Sequence, residues 1–334
     1  MNIFDVLELV LGLSLFLFGM NTMGDALKNM AGEGLRGVLE RLTSSRVRGI
    51  FLGALVTSLI QSSSATTVMV VGFVNSGAME LSRAVGVIMG ANIGTAFTSW
   101  ITATSELEGA AAVGSVLQWL KPSSFTPILA LIGIILYTVG KDSKKRNIAL
   151  IFLGFSVLML GMDTMSSSVK GLSENETFRS ILIAFENPVL GLLGGLAITA
   201  IVQSSSASIG ILQSFTATGA INFGNAVPII MGQNIGTCIT AVFASVGANK
   251  NAKRASAIHL LFNVFGSVIG LTVFYVLKYF FRPAFLEAQI DMWGIAIVHT
   301  AFNLITATVL FPLSNKLERC AAWFIREKKE NNYG

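Results

Sequence analysis

The sequence predicts an all-α integral membrane protein built from two inverted-topology repeats. Hydrophobic residues make up 53% of the 334 residues and charged residues only 12%, and the mean hydropathy is +0.70. This composition is typical of a chain whose solvent is the lipid bilayer. In addition, a polar motif inside an apolar run, Gln-Ser-Ser-Ser-Ala-Thr at 61–66, returns as Gln-Ser-Ser-Ser-Ala-Ser at 203–208. Lipid tolerates such polar stretches where they line a cavity or a site.

The duplication extends well beyond the serine clusters, always with an offset of about 142 residues. Gly-Met-Asn-Thr-Met at 19–23 returns as Gly-Met-Asp-Thr-Met at 161–165. Met-Gly-Ala-Asn-Ile-Gly-Thr at 89–95 returns as Met-Gly-Gln-Asn-Ile-Gly-Thr at 231–237. Matches on both sides of the clusters indicate that a whole unit is duplicated, so we expect the function to lie at its two polar centres.

Seven apolar segments are long enough, or nearly so, to cross a bilayer, given the ~20 residues that a crossing needs. They are residues 3–20, 84–104, 126–140, 147–162, 226–247, 255–279 and 292–313. The segments 49–76 and 189–217 are longer, and a serine cluster interrupts each of them at its centre. We predict that each is a re-entrant hairpin of two half-helices.

The basic residues predict the orientation of the chain. If the hairpins do not cross, most of the 23 Lys and Arg residues fall on one side, including the run from Lys141 to Arg146. By the positive-inside rule that side is cytoplasmic. We therefore predict a multi-pass protein of the cell inner (plasma) membrane, with an external N-terminus and a cytoplasmic C-terminus. An odd number of crossings separates matching points of the two units, which predicts that the copies are inverted.

These units divide the chain into three predicted parts. The first repeat spans residues 1–140 and contains a broken transmembrane helix at 84–104. The second repeat spans residues 141–279, with its broken helix at 226–247, and residues 280–334 add one transmembrane helix and a short cytoplasmic tail. The breaks are predicted because glycine beside Asn and Thr, in Asn-Ile-Gly-Thr, lets a helix unwind.

Two further segments precede the hairpins. Residues 21–46 and 163–187 carry apolar residues at roughly helical spacing, such as Ala26, Leu27 and Met30 in the first. Both are predicted to be interfacial amphipathic helices that brace the hairpins.

The motifs that interrupt the predicted helices, Gln-Ser-Ser-Ser and Asn-Ile-Gly-Thr, carry neutral polar groups. Such groups can bind an anion together with cations. Amide N–H groups at helix N-termini bind anions without Lys or Arg, whereas carbonyl, hydroxyl and amide oxygens coordinate hard cations such as Na⁺. No Lys, Arg, Asp or Glu lies between Ile50 and Gly77 or between Val189 and Ala226. Because a proton-coupled carrier usually buries a carboxylate, this pattern favours Na⁺ over H⁺ as the coupling ion.

Helix packing is the alternative explanation for small polar residues in a membrane, because Ser and Thr also hydrogen-bond between helices. Two copies, each led by Gln and each followed by a second polar motif, favour a site. The chain also contains His-x-x-Phe-Asn at 259–263 and at 299–303, which places His and Asn on one helical face. For these two pairs we favour hydrogen bonds between helices as a structural role.

The duplicated Gln-Ser-Ser-Ser, the Gly-x-Asn-Ile-Gly-Thr pair at 90–95 and 232–237, and His-x-x-Phe-Asn closely resemble the type II sodium/phosphate cotransporter family. The resemblance runs from about Gly12 to Leu313. It implies a sodium-coupled symporter that imports inorganic phosphate by alternating access. Phosphate and Na⁺ would be bound at mid-membrane, at the two Gln-Ser-Ser-Ser centres and the neighbouring Asn-Ile-Gly-Thr motifs.

Individual site residues are predicted from this resemblance and from the neutral oxygens of each centre. The predicted phosphate-binding residues are Ser62, Ser63, Ser64, Ser204, Ser205, Ser206, Asn92 and Asn234. The predicted sodium-binding residues are Gln61, Thr57, Thr95, Gln203, Thr199 and Thr237. We expect phosphate, Na⁺ and the bilayer as partners, with a homo-oligomer left open. We expect no nucleic acid, no transition metal and no cofactor besides Na⁺ as the coupling ion.

Three other functions fit parts of the pattern. The main alternative is a Na⁺-coupled carrier of another small anion, such as sulfate or a dicarboxylate, which only competition between anions would separate from a phosphate carrier. A passive channel is compatible with re-entrant hairpins alone. A membrane hydrolase with a serine nucleophile is disfavoured, because no Gly-x-Ser-x-Gly motif surrounds the serines and the spans of His259 and His299 contain no Asp or Glu. We therefore predict that the protein is not an enzyme.

Overall fold

The computed structural model describes residues 3–42, 45–109 and 122–326, which are helical apart from turns and one isolated β-bridge between Asn222 and Gln289. The helices are α1 (Ile3–Leu42), α2 (Arg46–Ile60), α3 (Ser63–Asn75), α4 (Leu81–Ala103), α5 (Pro122–Val139), α6 (Ser143–Val169), α7 (Glu176–Ala184), α8 (Pro188–Val202), α9 (Ser205–Phe215), α10 (Phe223–Ala244), α11 (Lys250–Val276), α12 (Met292–Leu310) and α13 (Ser314–Phe324).

Within these ranges, six helices are long and apolar enough to cross a membrane. The spanning stretches are Ile3–Met30, Leu81–Glu106, Ser143–Leu172, Phe223–Ala244, Lys250–Phe281 and Met292–Leu310. They overlap every predicted span except 126–140, which falls in the shorter apolar helix α5. The prediction of an all-α, multi-pass membrane protein is therefore confirmed.

Both hairpin segments contain the predicted helical interruption. A Gln-Ser pair separates α2 from α3 and α8 from α9. In each pair the glutamine has a positive φ, 55° for Gln61 and 56° for Gln203. This left-handed conformation costs a residue with a Cβ roughly 1–2 kcal/mol. It persists only where the surrounding structure holds it, and such strain is common at functional sites.

Each hairpin returns to the end of the molecule where it began. Nε of Arg46, the first residue of α2, donates a hydrogen bond of 3.1 Å to the carbonyl oxygen of Ser82 at the start of α4. A short connection brings α3 back to this same helix start. In the second hairpin, Gly191 near the start of α8 packs against Pro228 near the start of α10, which follows α9 after a short connection. The half-helices of each pair therefore enter and leave together, as the re-entrant prediction requires.

The open ends of the two hairpins lie at opposite ends of α11. The backbone N–H of Asn249, just before α11, donates to Oδ1 of Asn75 at the end of α3 (2.8 Å). Beyond the far end of α11, Nζ of Lys278 donates to the carbonyl oxygen of Glu186, shortly before α8 (3.2 Å). A helix of 27 residues is about 40 Å long. This arrangement supports the predicted inversion, whereas the membrane side of each end and the three domain boundaries stay predictions.

The crossing helices predicted to be broken at 84–104 and 226–247 are continuous instead. In α4 the side chains of Asn92 and Thr95 donate hydrogen bonds of 2.8 and 2.9 Å to carbonyl oxygens one turn earlier, so they support the helix. The equivalent side chains of α10 do the same. Glycine in this motif serves close packing, because a Cβ at Gly90 would overlap a carbonyl oxygen of α2.

The segment 21–46 is not a separate interfacial helix, because α1 continues through it as far as Leu42. The cause is packing against α6. Gly19 lies so close to α6 that a Cβ would overlap its backbone, and Met23 is buried in a cluster with methionines of α6. In the counterpart segment 163–187, α6 continues to Val169 and only α7 stands as a separate helix.

Candidate anion-binding site between the two serine clusters

A cavity of about 410 Å³ lies between the two hairpins and α1. Its polar lining residues are Gln61, Ser62, Ser63, Ser64, Gln203, Ser204, Ser205, Ser206, Asn21, Asp25 and Lys28. The volume is in the range of small-molecule sites. Both duplicated clusters therefore line one cavity, as the sequence predicts for the two polar centres.

The two clusters meet through Ser63 and Ser205, whose hydroxyl oxygens are 3.3 Å apart. Both serines are buried, and each is the first residue of its helix, α3 or α9. The preceding serine caps the helix: Oγ of Ser62 accepts a hydrogen bond of 3.1 Å from the backbone N–H three residues later. Ser204 forms the same bond at 3.2 Å. The N-terminal ends of α3 and α9 thus converge on the cavity.

Two converging helix N-termini give the cavity the electrostatics of an anion site. Each N-terminus carries roughly half of a positive elementary charge on its free N–H groups, and helix N-termini commonly bind phosphate and other anions. The helices have 13 and 11 residues, so each is long enough to develop this dipole. Serine hydroxyls add further donors. A small oxyanion is the ligand that this donor set suits best.

The glutamines that lead the two clusters have different environments. Gln61 is only 5% exposed. Its Oε1 accepts a hydrogen bond of 2.9 Å from Oγ1 of Thr98, and its Nε2 donates to the carbonyl oxygen of Ser58. Gln203, in contrast, is exposed. Since Oγ of Ser206 also lies 3.3 Å from Oγ1 of Thr98, Thr98 of α4 connects the first hairpin to the second.

The other predicted site residues do not line the cavity. They are Asn92, Asn234, Thr57, Thr95, Thr199 and Thr237. The four on α4 and α10 hydrogen-bond within their own helices. Thr57 donates to Oγ1 of Thr66 (2.9 Å), and Thr199 donates to Oγ of Ser208 (2.7 Å). These two equivalent bonds join the halves of each hairpin, and the assignment of all six residues as ligands stays a prediction.

Three cavity residues, Asn21, Asp25 and Lys28, were not among the predicted site residues. A separate interfacial helix at 21–46 would lie away from the site. In the structure these residues belong to the continuous helix α1 and line the cavity. The repeated motif at 19–23 includes Asn21 and is the one sequence signal that could have found it. In the part of the chain that the structure describes, Lys28 is the one basic residue in the lining.

The His-x-x-Phe-Asn motifs only partly meet the prediction made for them. His259 and His299 are buried, and none of their ring nitrogens has a hydrogen-bond partner among the described residues. Nδ2 of Asn263 instead reaches across to Oδ1 of Asn92 in α4 (3.1 Å). Nδ2 of Asn303 donates to the carbonyl oxygen of His299 in its own helix. Among the described residues, the predicted hydrogen bond between helices is therefore present for Asn263 and absent for Asn303 and the two histidines.

Comparison with known proteins assigns the chain to a family. The sequence profile described as Na⁺/Pi-cotransporter matches residues 15–167 and again residues 158–306. A protein of Bacillus subtilis (strain 168) named "Uncharacterized protein YqeW" is 30% identical over 307 residues, which cover 91% of this chain and 93% of that relative.

Two further relatives carry transport names. "Putative inorganic phosphate export protein YjbB" of Escherichia coli (strain K12) is 26% identical over 327 residues, 97% of this chain. "Sodium-dependent phosphate transport protein 2A" of Rattus norvegicus is 23% identical over 385 residues, 80% of this chain. This chain covers 56% of the first and 60% of the second. No solved structure matches it. The profile matches nevertheless extend over most of the sequence, and the chain belongs to the Na⁺/Pi-cotransporter family, which is a family of transporters.

Proposed function

We propose that this protein is a sodium-coupled symporter that imports inorganic phosphate by alternating access, with the substrate bound between the two serine clusters. The observation that carries the proposal is the convergence of two helix N-termini on one cavity, where Ser63 and Ser205 are 3.3 Å apart. Membership of the Na⁺/Pi-cotransporter family supports the choice of phosphate among small oxyanions.

Phosphate would be held by hydroxyl and amide donors rather than by a buried cationic side chain. A tetrahedral anion has four oxygens, so it can accept from both clusters at once. Ser63 and Ser205 occupy equivalent positions at the starts of α3 and α9, and hydrogen bonds to a charged group are worth about 1.5–3 kcal/mol each. Lys28 and Asp25 are both exposed and line the cavity with opposite charges, so Lys28 offsets the repulsion of the anion by Asp25, and salt screens both charges.

Sodium coupling is supported by neutral oxygens in the membrane interior. Oε1 of Gln233, Oδ1 of Asn263 and Oδ1 of Asn303 are buried and have no hydrogen-bond partner in the described part of the chain. An unsatisfied buried polar group costs about 1–3 kcal/mol, and a bound hard cation would satisfy such an oxygen. These three oxygens are not among the predicted Na⁺ ligands. The proposed ligands remain Gln61, Thr57, Thr95, Gln203, Thr199 and Thr237, whose side-chain oxygens keep free lone pairs.

Alternating access is supported by the asymmetry of the cavity. Met20 of α1 and its counterpart Met162 of α6 are both buried in one cluster with Ala207 of α9, but of the two methionines Met20 alone lines the cavity. The glutamines that lead the two clusters also differ, because Gln61 is buried and Gln203 is exposed. If the two units exchanged these arrangements, the clusters would become reachable from the opposite side. Lys28 lines the cavity and belongs to a basic segment that is predicted to be cytoplasmic, so in the predicted orientation the present opening faces the cytoplasm.

The direction of net transport follows from the gradients. One relative is named as an export protein and another as a sodium-dependent transport protein, and these names apply to those proteins. A symporter runs in the direction that the summed gradients dictate, so a cell that keeps Na⁺ low inside drives import.

Uptake of radiolabelled phosphate into proteoliposomes tests the proposal. We expect accumulation above the external concentration with an inward Na⁺ gradient, and none with a K⁺ gradient. Equal inhibition by sulfate or a dicarboxylate would indicate a carrier of another anion. Equilibration without accumulation would indicate a channel, and equal accumulation driven by a pH gradient alone would refute sodium coupling.

A further inference from the structure

The far end of α11 has an irregular backbone and exposed aromatic side chains. Residues 277–281 form a single π-helical turn, a feature that often marks functional sites. Arg282 closes this turn with φ of 41°, and its backbone N–H donates to the carbonyl oxygen of Leu277 (3.0 Å). Tyr279 and Phe280 are more than 70% exposed. Aromatic side chains beside basic residues are typical of the boundary between lipid tails and head groups, which is where we expect this turn to lie.

An apolar groove runs between α10, α11 and α12 below this turn. It has a volume of about 240 Å³ and is lined almost wholly by apolar side chains, among them Val273, Phe302 and Ile305. The volume is below the ~300 Å³ at which sites for compact drug-sized ligands begin. A single narrow hydrocarbon chain fits such a groove better than a bulky ligand.

A second, polar cavity of about 580 Å³ adjoins the groove, and Leu286 lines both. Two cations, Lys278 and Arg282, and two carboxylates, Glu186 and Glu287, line the polar cavity. Nζ of Lys278 donates to the backbone carbonyl of Glu186 and not to its carboxylate. Over the described ranges, no ion pair joins either carboxylate to either cation. Four charges therefore face one cavity in equal numbers of each sign.

We propose that the groove and the cavity together bind one glycerophospholipid that carries a primary amine, of the phosphatidylethanolamine type. One acyl chain would fill the groove, the phosphate would pair with Arg282 and Lys278, and the ammonium would pair with Glu287 and Glu186. The balanced charges favour this occupant over an anionic lipid, which leaves the carboxylates without a partner. They also favour it over a choline lipid, whose quaternary ammonium has no N–H to donate.

Native mass spectrometry of the purified protein, with defined phospholipids added, tests this assignment. We expect retention of phosphatidylethanolamine over phosphatidylcholine and phosphatidylglycerol of the same acyl chains. Arg282→Gln and Glu287→Gln each remove one charged contact and should lower this retention roughly ten-fold. Ala301→Leu fills the groove and should lower retention of all three lipids. Arg319→Gln, an exposed basic residue on α13, is the matched control and should change nothing.

Several results would overturn the proposal. Retention of the ethanolamine lipid that is unchanged in both Arg282→Gln and Glu287→Gln would exclude the polar cavity as the head-group site. Equal retention of the three lipids by the parent protein would exclude recognition of the amine. Displacement of the lipid by millimolar inorganic phosphate would make the cavity a free-phosphate vestibule instead. The size-exclusion profile and the phosphate uptake of each variant are measured alongside. Where both match the parent protein, misfolding does not explain a loss of lipid retention.

Discussion

Removing one hydroxyl from the meeting point of the two serine clusters should weaken phosphate binding without unfolding the protein. In Ser63→Ala or Ser205→Ala the lost contact between the two hydroxyls is 3.3 Å long, at the weak end of hydrogen-bond geometry. Its loss therefore costs little stability. The lost hydrogen bond to a bound phosphate is worth about 1.5–3 kcal/mol, which corresponds to a roughly ten- to hundred-fold weaker affinity.

The two replacements together provide a stricter test, because both hydroxyls face one cavity. The two hydroxyls also contact each other, so the double-mutant cycle is applied to phosphate affinity and not to stability. If Ser63 and Ser205 contact the same anion, their effects on affinity should be coupled by about 0.5–3 kcal/mol. Residues that act at separate sites are additive to within about 0.3–0.5 kcal/mol. Ser214→Ala is the matched control, because this buried serine of α9 bonds to its own helix (2.7 Å to the carbonyl oxygen of Ile211) and does not line the cavity.

Phosphate titration of sodium-dependent uptake in proteoliposomes measures the apparent affinity of each variant. We expect similar losses for the two single variants, because the helix starts are equivalent, and a parent-like affinity for the control. Parent-like affinity in both single variants would refute a phosphate site between the clusters. A loss in only one of them would refute the equal sharing of the anion by the two units.

Three further predictions concern charge, packing and topology. Because Lys28 lines the opening that faces the cytoplasm in the predicted orientation, Lys28→Gln should slow phosphate efflux started from the cytoplasmic face of oriented vesicles. The slowing should be severalfold at low ionic strength and small at high salt, because an exposed charge is screened. Lys144→Gln is the control and should not slow efflux, and salt-independent slowing by Lys28→Gln would contradict a steering role. Gly90→Ala should destabilise the fold by about 1–3 kcal/mol through overpacking. The control Gly72→Ala, with open space around its Cβ in α3, should leave the melting temperature unchanged or raise it, because alanine has the higher helix propensity. A Gly90→Ala melting curve equal to that of the parent would contradict the α2–α4 packing. Single cysteines at Lys144 and Glu176, with native Cys320 replaced, should react with impermeant reagents from opposite sides, and labelling from one side would refute the inversion.

The hairpins and their contact were predictable because the responsible signals are local and duplicated. The whole Gln-Ser-Ser-Ser cluster at the centre of an apolar run indicates the interruption, and two copies of it predict a shared site. A Gln-Ser pair alone does not interrupt a helix, since Gln213 and Ser214 lie within α9. The breaks predicted at Asn-Ile-Gly-Thr are absent because glycine has two uses in membrane helices. It lets a backbone unwind, and it lets two helices approach closely. Which of the two roles a glycine has depends on whether another helix packs against it. Gly90 packs against α2, so its role is close packing.

The contribution of α1 to the site could not be read from the sequence for a related reason. Residues 21–30 have the polar content of an interfacial helix, and their continuation of α1 depends on contacts with α6 more than 100 residues away in the sequence. Asp25 and Lys28 therefore reach the cavity through tertiary packing alone. Likewise, nothing local shows that Thr98 joins Gln61 to Ser206.

The most direct test of a sodium-coupled phosphate site between the clusters is substrate protection of thiols introduced into them. Ser64 and Ser204 line the cavity and are partly exposed, so single cysteines at these positions, with Cys320 replaced by Ser, can react with a small thiol reagent. We predict that phosphate and Na⁺ together slow labelling at both positions, whereas either ion alone or sulfate with Na⁺ does not. Labelling rates that are indifferent to phosphate, or protection that needs no Na⁺, would contradict the account.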